Sequence, residues 1–130
     1  MARIGQTSIF QELLEEVVCE ASVAIGDWIY LNSSNIGVSA LADSEANSHI
    51  IGLVEDKPSA TRATVRTHGI SSELFTGLDV TKDYFLDEST AGAMTITPPT
   101  GSNEVVLRVG RPFSDKRFWV QMGIRMVRAT

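Results

Sequence analysis

Arg117-Phe118-Trp119-Val120-Gln121-Met122-Gly123-Ile124-Arg125-Met126-Val127 is the stretch that decides the fold class. Phe118, Val120, Met122, Ile124 and Met126 share one parity, while Arg117, Gln121 and Arg125 share the other with Trp119 and Val127. Successive side chains point to opposite faces only in an extended chain, so this period of two predicts a β-strand with one apolar face. The parity runs through Gly123 unbroken and no two-residue turn pair interrupts it. That predicts one long strand kinked or bulged at the glycine rather than a hairpin.

Upstream, the same alternation of β-branched or aromatic residues with polar ones predicts strands over Trp28–Leu31, Ile36–Ala42, Ile50–Glu55, Thr61–Thr67, Asp83–Asp87, Ala93–Thr97 and Val105–Arg111. Clusters of turn-forming residues separate them, among them Asn32-Ser33-Ser34-Asn35, Asp56-Lys57-Pro58-Ser59, Gly77-Leu78-Asp79 and Pro98-Pro99-Thr100-Gly101-Ser102. The expected fold is all-β, a compact β-barrel or sandwich of about eight short strands. Ala63 and Val65 oppose Arg62 and Arg66, and Val105, Leu107 and Val109 oppose Arg108, which places arginines on the outside.

Residues 1–16 read differently. Ser8-x-x-Gln11 resembles a capping box, and Ile9, Phe10, Leu13, Leu14 and Val17 recur at helical spacing. The expectation is an N-terminal arm or short helix over 1–16, followed by a single β domain over 17–130. Such a helix is marginal alone and needs a neighbour to order it.

A weak internal echo is also present. Gly26-Asp27-Trp28-Ile29-Tyr30-Leu31, Ile51-Gly52, Ala63-Thr64-Val65 and Gly69 are followed in the same order by Lys82-Asp83-Tyr84-Phe85-Leu86, Val109-Gly110, Trp119-Val120 and Gly123. Two related β lobes would produce it; so would the general similarity of strands to one another.

At 130 residues the chain fits one domain, and 43% hydrophobic residues suffice for an ordinary core. No apolar run approaches the ~20 residues of a membrane helix, so a soluble protein with no membrane partner is expected. Met1-Ala2-Arg3-Ile4-Gly5-Gln6 is not followed by the apolar stretch of a secretory signal. Cys19 is the one cysteine, which excludes an intrachain disulfide and fits a reducing compartment of synthesis.

The net charge of −5 argues against a nucleic-acid partner. Its distribution says more than its total. From Val105 onward Arg108, Arg111, Lys116, Arg117, Arg125 and Arg128 stand against Asp115, a net +5, so the preceding residues sum to −10. That polarity suits acidic-to-basic or head-to-tail packing between copies, although a solvated basic strand pair would give the same count.

Catalytic signatures are sparse. The chain has no Gly-x-Ser-x-Gly turn and no phosphate-binding glycine loop. Cys19 follows Val17-Val18 and reads as a small buried hydrophobe. His49 and His68 lack the paired spacing of zinc sites; a metal site from His49, Asp43 and Glu45 competes with a plain hydrated loop, and no metal or cofactor is expected. Glu55-Asp56 and Asp87-Glu88 are chain neighbours that point to opposite faces of a strand, which does not suit an acid–base pair. The expectation is a non-enzymatic protein. Trp28, Tyr30 and Trp119 are candidate interface anchors, or else core residues of a sheet covered on both faces.

Several runs carry a family resemblance: Gly26–Leu31, Ile51-Gly52-Leu53-Val54-Glu55-Asp56-Lys57-Pro58-Ser59-Ala60-Thr61, Gly69-Ile70, Phe75-Thr76-Gly77-Leu78, Tyr84-Phe85-Leu86 and Val106-Leu107-Arg108-Val109-Gly110-Arg111-Pro112-Phe113. Over about residues 17–128 the chain resembles small virion proteins of tailed bacteriophages, in particular capsid decoration or cement proteins. The resemblance implies a β body at local three-fold axes of the head, an N-terminal arm reaching along the shell, a trimer, and synthesis in the bacterial host cytoplasm. Its implied partner is the major capsid protein, and its implied role is stabilisation of the expanded head. Ile9, Phe10, Leu13 and Leu14 would make the arm contacts, and Arg108, Arg111, Arg117 and Arg125 the charge matching. A tail or fibre-attachment adaptor fits the same residues, and a carbohydrate-binding module using Trp28, Tyr30 and Trp119 is the third reading.

Overall fold

The structure, a computed structural model, describes residues 14–129, in which strands form and helices do not. The first sheet contains β1 (Leu14–Val18), β2 (Trp28–Leu31), β3 (Gly37–Ser39), β4 (Ile50–Ser59) and β5 (Arg62–Arg66) in the order β1-β5-β4-β2-β3. The second contains β6 (Gly69–Ile70), β7 (Tyr84–Leu86), β8 (Met94–Thr95), β10 (Arg108–Pro112) and β11 (Phe118–Val120) in the order β6-β11-β10-β7-β8. β9 (Val105–Val106) and β12 (Met126–Val127) make a separate antiparallel pair. All ladders within the sheets are antiparallel, and none closes into a barrel. A single parallel bridge, Cys19 to Gly37, draws the ends of the outer strands β1 and β3 together. The architecture is sandwich-like.

The internal echo has a structural counterpart. β1, β5, β4, β2 and β3 correspond in order and direction to β6, β11, β10, β7 and β8. The irregularities correspond as well. Between β2 and β4, Ile29 pairs with Gly52 and Tyr30 with Ile50, leaving Ile51 as the extra residue. Between β7 and β10, Tyr84 pairs with Gly110 and Phe85 with Arg108, leaving Val109 extra. Each bulge precedes a glycine, and a bulge bends its strand and increases local twist. The equivalence is offset by a residue or so from the sequence echo, because pairing register rather than side-chain likeness defines it.

One apolar cluster spans both sheets. Trp28, Ala40, Ala42 and Leu53 of the first half pack with Tyr84, Leu86, Val105, Leu107, Val109, Phe118 and Val120 of the second. The ring of Phe118 is met edge-on by Trp28 at 5.6 Å, Tyr84 at 5.8 Å and Phe75 at 6.3 Å, the arrangement that ring quadrupoles favour. A second cluster of Cys19, Val23, Ile29, Val54, Ala63 and Val65 fills the other face of the first sheet. Trp28 and Ile29 are adjacent, so the alternation sends one into each cluster. Trp28 is therefore a core residue and not an exposed interface anchor, and Cys19 is buried as its context predicts.

Backbone bonds join the two halves. The Trp28 N–H donates to Gly92 O at 2.9 Å, Gly92 N–H to Ala40 O at 2.7 Å, Ala42 N–H to Asp87 O at 2.8 Å, and Val105 N–H to Ala42 O at 2.9 Å. Glu55 adds a side-chain link: its carboxylate accepts Arg66 Nε–H at 2.6 Å and the Ser72 N–H at 2.9 Å. Burial acts to raise the Glu55 pKa, and the Arg66 and Ser72 hydrogen bonds outweigh it, holding the carboxyl below the ordinary glutamate value.

Several boundaries differ from the sequence reading: β3 and β8 are shorter than Ile36–Ala42 and Ala93–Thr97, and the strand expected over Val105–Arg111 is divided into β9 and β10. Leu14, Glu15 and Glu16 belong to β1, not to an arm or helix; the rest of that segment, including Ile9, Phe10 and Leu13, lies outside the described residues. β4 continues through Asp56-Lys57-Pro58-Ser59, and the hairpin turns instead at Ala60-Thr61. Lys57 favours this path because its ammonium donates to the carbonyls of Ala21 (3.3 Å), Val23 (2.7 Å) and Ala60 (3.0 Å). Finally, the long strand expected over 117–127 is divided into β11 and β12 on either side of Gly123.

Candidate functional site

The division at Gly123 creates the most distinctive surface of the molecule. Phe118 and Val120 are fully buried, yet Met122, Ile124 and Met126, on the same parity, are 37%, 87% and 60% exposed. Up to Val120 the chain is paired with β10 and faces the shared core. The Gln121 N–H still donates to Val109 O at 3.0 Å and the Gly123 N–H to Arg108 O at 2.8 Å, after which the chain passes to β9. Among the described residues no second layer covers the apolar face beyond that point. Val127, on the opposite face of β12 from Met126, is 46% exposed as well.

Where this strip meets the first half, Ser48, His49 and Ile50 face Leu107, Met122, Gly123 and Arg125 across an open groove of about 360 Å³. Arg125 spans it: one guanidinium nitrogen reaches His49 Nδ1 and another lies 3.8 Å from Glu45 Oε2. Arginine can only donate, so in this contact Nδ1 takes the acceptor's place. A guanidinium occupying the space between His49 and Glu45 is poorly suited to sharing it with a metal cation. Among the described residues no group of three or more His, Cys, Asp and Glu side chains is placed to hold a metal ion.

The four arginines singled out from the sequence are all tethered within the molecule. Arg108 lies 3.1 Å from Asp83 Oδ1 and donates to Gln121 O at 3.3 Å. Arg111 is exposed and donates to Val80 O at 3.3 Å. Arg117 donates to Ser71 O at 2.7 Å and stacks 5.3 Å from the centre of the exposed Phe113 ring. Arg108 and Arg125 flank Gly123, while Arg111 and Arg117 lie towards the opposite end of β10 and β11, so the four do not converge on one point. Each retains donors beyond those used internally, since a guanidinium carries five.

Leu14 sits on β1 opposite Arg66 and is 36% exposed, with Val18 on the same face at 42%. Trp119 is 38% exposed and Tyr30 is half-buried, its hydroxyl donating to Asn47 Oδ1 at 3.2 Å. Of the three aromatic candidates, Trp119 is thus the one presented most openly. Sequence reading placed Met122, Ile124 and Met126 on the same face as Phe118 and Val120; Gly123, on the opposite parity, was the signal that the strand is interrupted there.

Compared with protein-family models, with curated proteins and with solved structures, the chain matches none.

Proposed function

We propose that this chain is a structural protein of a tailed-bacteriophage virion, a capsid decoration or cement protein that binds the major capsid protein and stabilises the expanded head. The observation that carries the proposal is the surface from Met122 to Val127: a well-packed β body that leaves Met122, Ile124, Met126 and Val127 in water is built to be covered in an assembly. β1 adds a second contact region, because Leu14 and Val18 are exposed on the strand into which residues 1–13 lead.

The mechanism is thermodynamic. A protein that binds the expanded shell and not its precursor stabilises the expanded state by mass action. Modest contacts at each site add up because the copies are repeated over the particle. Ile9, Phe10, Leu13 and Leu14 engage the shell, and Arg108, Arg111, Arg117 and Arg125 use their spare donors on its acidic surface. The body assembles as a trimer, made in the host cytoplasm and placed on the capsid surface.

Quantitative proteomics of purified particles and DNA release on heating test this together. Hundreds of copies per particle, and release at lower temperature from particles lacking the protein, are the expected results. A dozen copies or fewer, found with tails, would assign the same surfaces to a tail or fibre adaptor. Absence from particles removes the virion reading altogether.

A further inference from the structure

We infer that β12, with the apolar strip preceding it, is the contact for a second copy of this chain, which presents the acidic edge of its β1. The inference rests on the oligomer in the reading above, and not on the capsid as its destination.

Among the described residues, the hydrogen-bond pattern shows which groups are open. The Arg128 N–H donates to Glu104 O at 2.8 Å and the Asn103 N–H to Arg128 O at 3.0 Å, so Arg128 turns its backbone groups towards β9. Val127 pairs with Val105, whose own N–H points the other way, to Ala42 O. In an antiparallel ladder the direction alternates, so Val127 turns its N–H and C=O outward. β1 has the matching property. The Cys19 N–H donates to Thr61 O at 2.9 Å, which by the same alternation directs the backbone groups of Leu14 and Glu16 away from β5.

Open strand edges flanked by exposed apolar side chains are templates for pairing with another chain. Ile124, Met126 and Val127 supply that surface on one side, and Leu14 and Val18 on the other. Charge selects between like and unlike pairing. β12 is bordered by Arg125 and Arg128, whereas β1 carries Glu15 and Glu16 and is followed by Glu20. Two β12 edges would bring arginines together, and two β1 edges would bring glutamates together; β12 against β1 brings opposite charges together. Glu15 and Arg128 are exposed and neither forms an ion pair among the described residues, so both are free for this contact.

The two edges lie on different halves of the molecule, so the contact is head-to-tail. A head-to-tail contact closes only as a ring, or else grows into a filament. Any closed ring uses every β1 and every β12 edge, and the trimer of the proposed function is the ring of three.

Light scattering on the eluting full-length protein tests this. The expected mass is three times the 14.1 kDa chain. Arg128→Glu is expected to give a monomer, and adding Glu15→Arg to that variant is expected to restore the trimer by reversing the pair. Val127→Pro removes only an outward N–H, since the β9 bonds are made through its neighbours, and it too is expected to give a monomer with an unchanged circular dichroism spectrum. A monomeric wild type, or a mass unaffected by Arg128→Glu, overturns the contact. Binding to expanded heads is measured separately. A monomer that still binds heads removes this interface and leaves the shell reading standing, whereas a β12-dependent trimer that ignores heads does the reverse.

Discussion

Gly52 and Gly110 hold equivalent places in the two sheets: a Cβ on Gly52 would lie 2.2 Å from the carbonyl oxygen of Arg66, and one on Gly110 would lie 2.1 Å from that of Trp119. Each follows the extra residue of a bulge, and at each the neighbouring strand's backbone passes where a side chain would be. The close approach is what lets β4 and β10 bend over the shared core.

Gly110→Ala is therefore expected to destabilise the protein by about 3 kcal/mol or more, because backbone, unlike a flexible side chain, cannot step aside. Gly52→Ala should behave alike. Gly77→Ala is the control: Gly77 has φ +70° with open space where a Cβ would stand, so only the left-handed backbone penalty of roughly 1–2 kcal/mol applies. Urea midpoints of the three variants order these effects. Equal losses at all three positions would contradict the role given to the crossing.

Phe118 is the ring on which Trp28, Phe75 and Tyr84 converge. Phe118→Ala is expected to cost about 3–5 kcal/mol through lost burial and the cavity left behind. Phe118→Leu keeps most of the volume but loses the ring contacts, and should cost roughly 1–2 kcal/mol. Near-ultraviolet circular dichroism should weaken in both, since Trp28 and Tyr84 lose their common neighbour.

The Glu55 carboxyl, held below its ordinary pKa, contributes stability that is complete above the pKa of an unfolded glutamate, about 4.3. That contribution is lost as pH falls through the lower folded value. Denaturant titrations at a series of pH values should show wild-type stability declining on acidification with a component that Glu55→Gln lacks. At neutral pH the substitution should cost about 1–3 kcal/mol, having weakened the hydrogen bonds from Arg66 and Ser72. An identical acid slope in both proteins would show that another carboxylate dominates.

Lys57 holds three carbonyls with one ammonium, tying Ala21 and Val23 to the β4–β5 hairpin. Lys57→Met keeps the stem and removes the donors, with an expected loss of about 1.5–3 kcal/mol. Amide exchange should accelerate near Val23, whose N–H donates to Glu20 O within the same loop. Unchanged exchange there would mean that the loop is held by the burial of Val23 alone.

Much of the fold was written in the local alternation. Trp28–Leu31 forms a strand with the expected bounds, and Ala63 and Val65 lie inward with Arg62 and Arg66 outward. These features depend on the geometry of an extended chain, which any segment carries with it. Distant pairing decided the rest. Leu14 and Val17 fit helical spacing on paper, but β5 offers Arg66 and Ala63 as partners and the segment becomes β1.

The sequence by itself therefore determined an all-β chain with an acidic front and a basic end, while the correspondence of its two sets of strands was decided by their pairing. Only the tertiary structure decided that Trp28 is buried between two sheets while Ile124 and Met126, no less apolar, stand in water. Hydrophobicity states what a side chain prefers; whether another layer arrives to cover it depends on where the rest of the chain has been placed, and beyond Gly123 no layer among the described residues does.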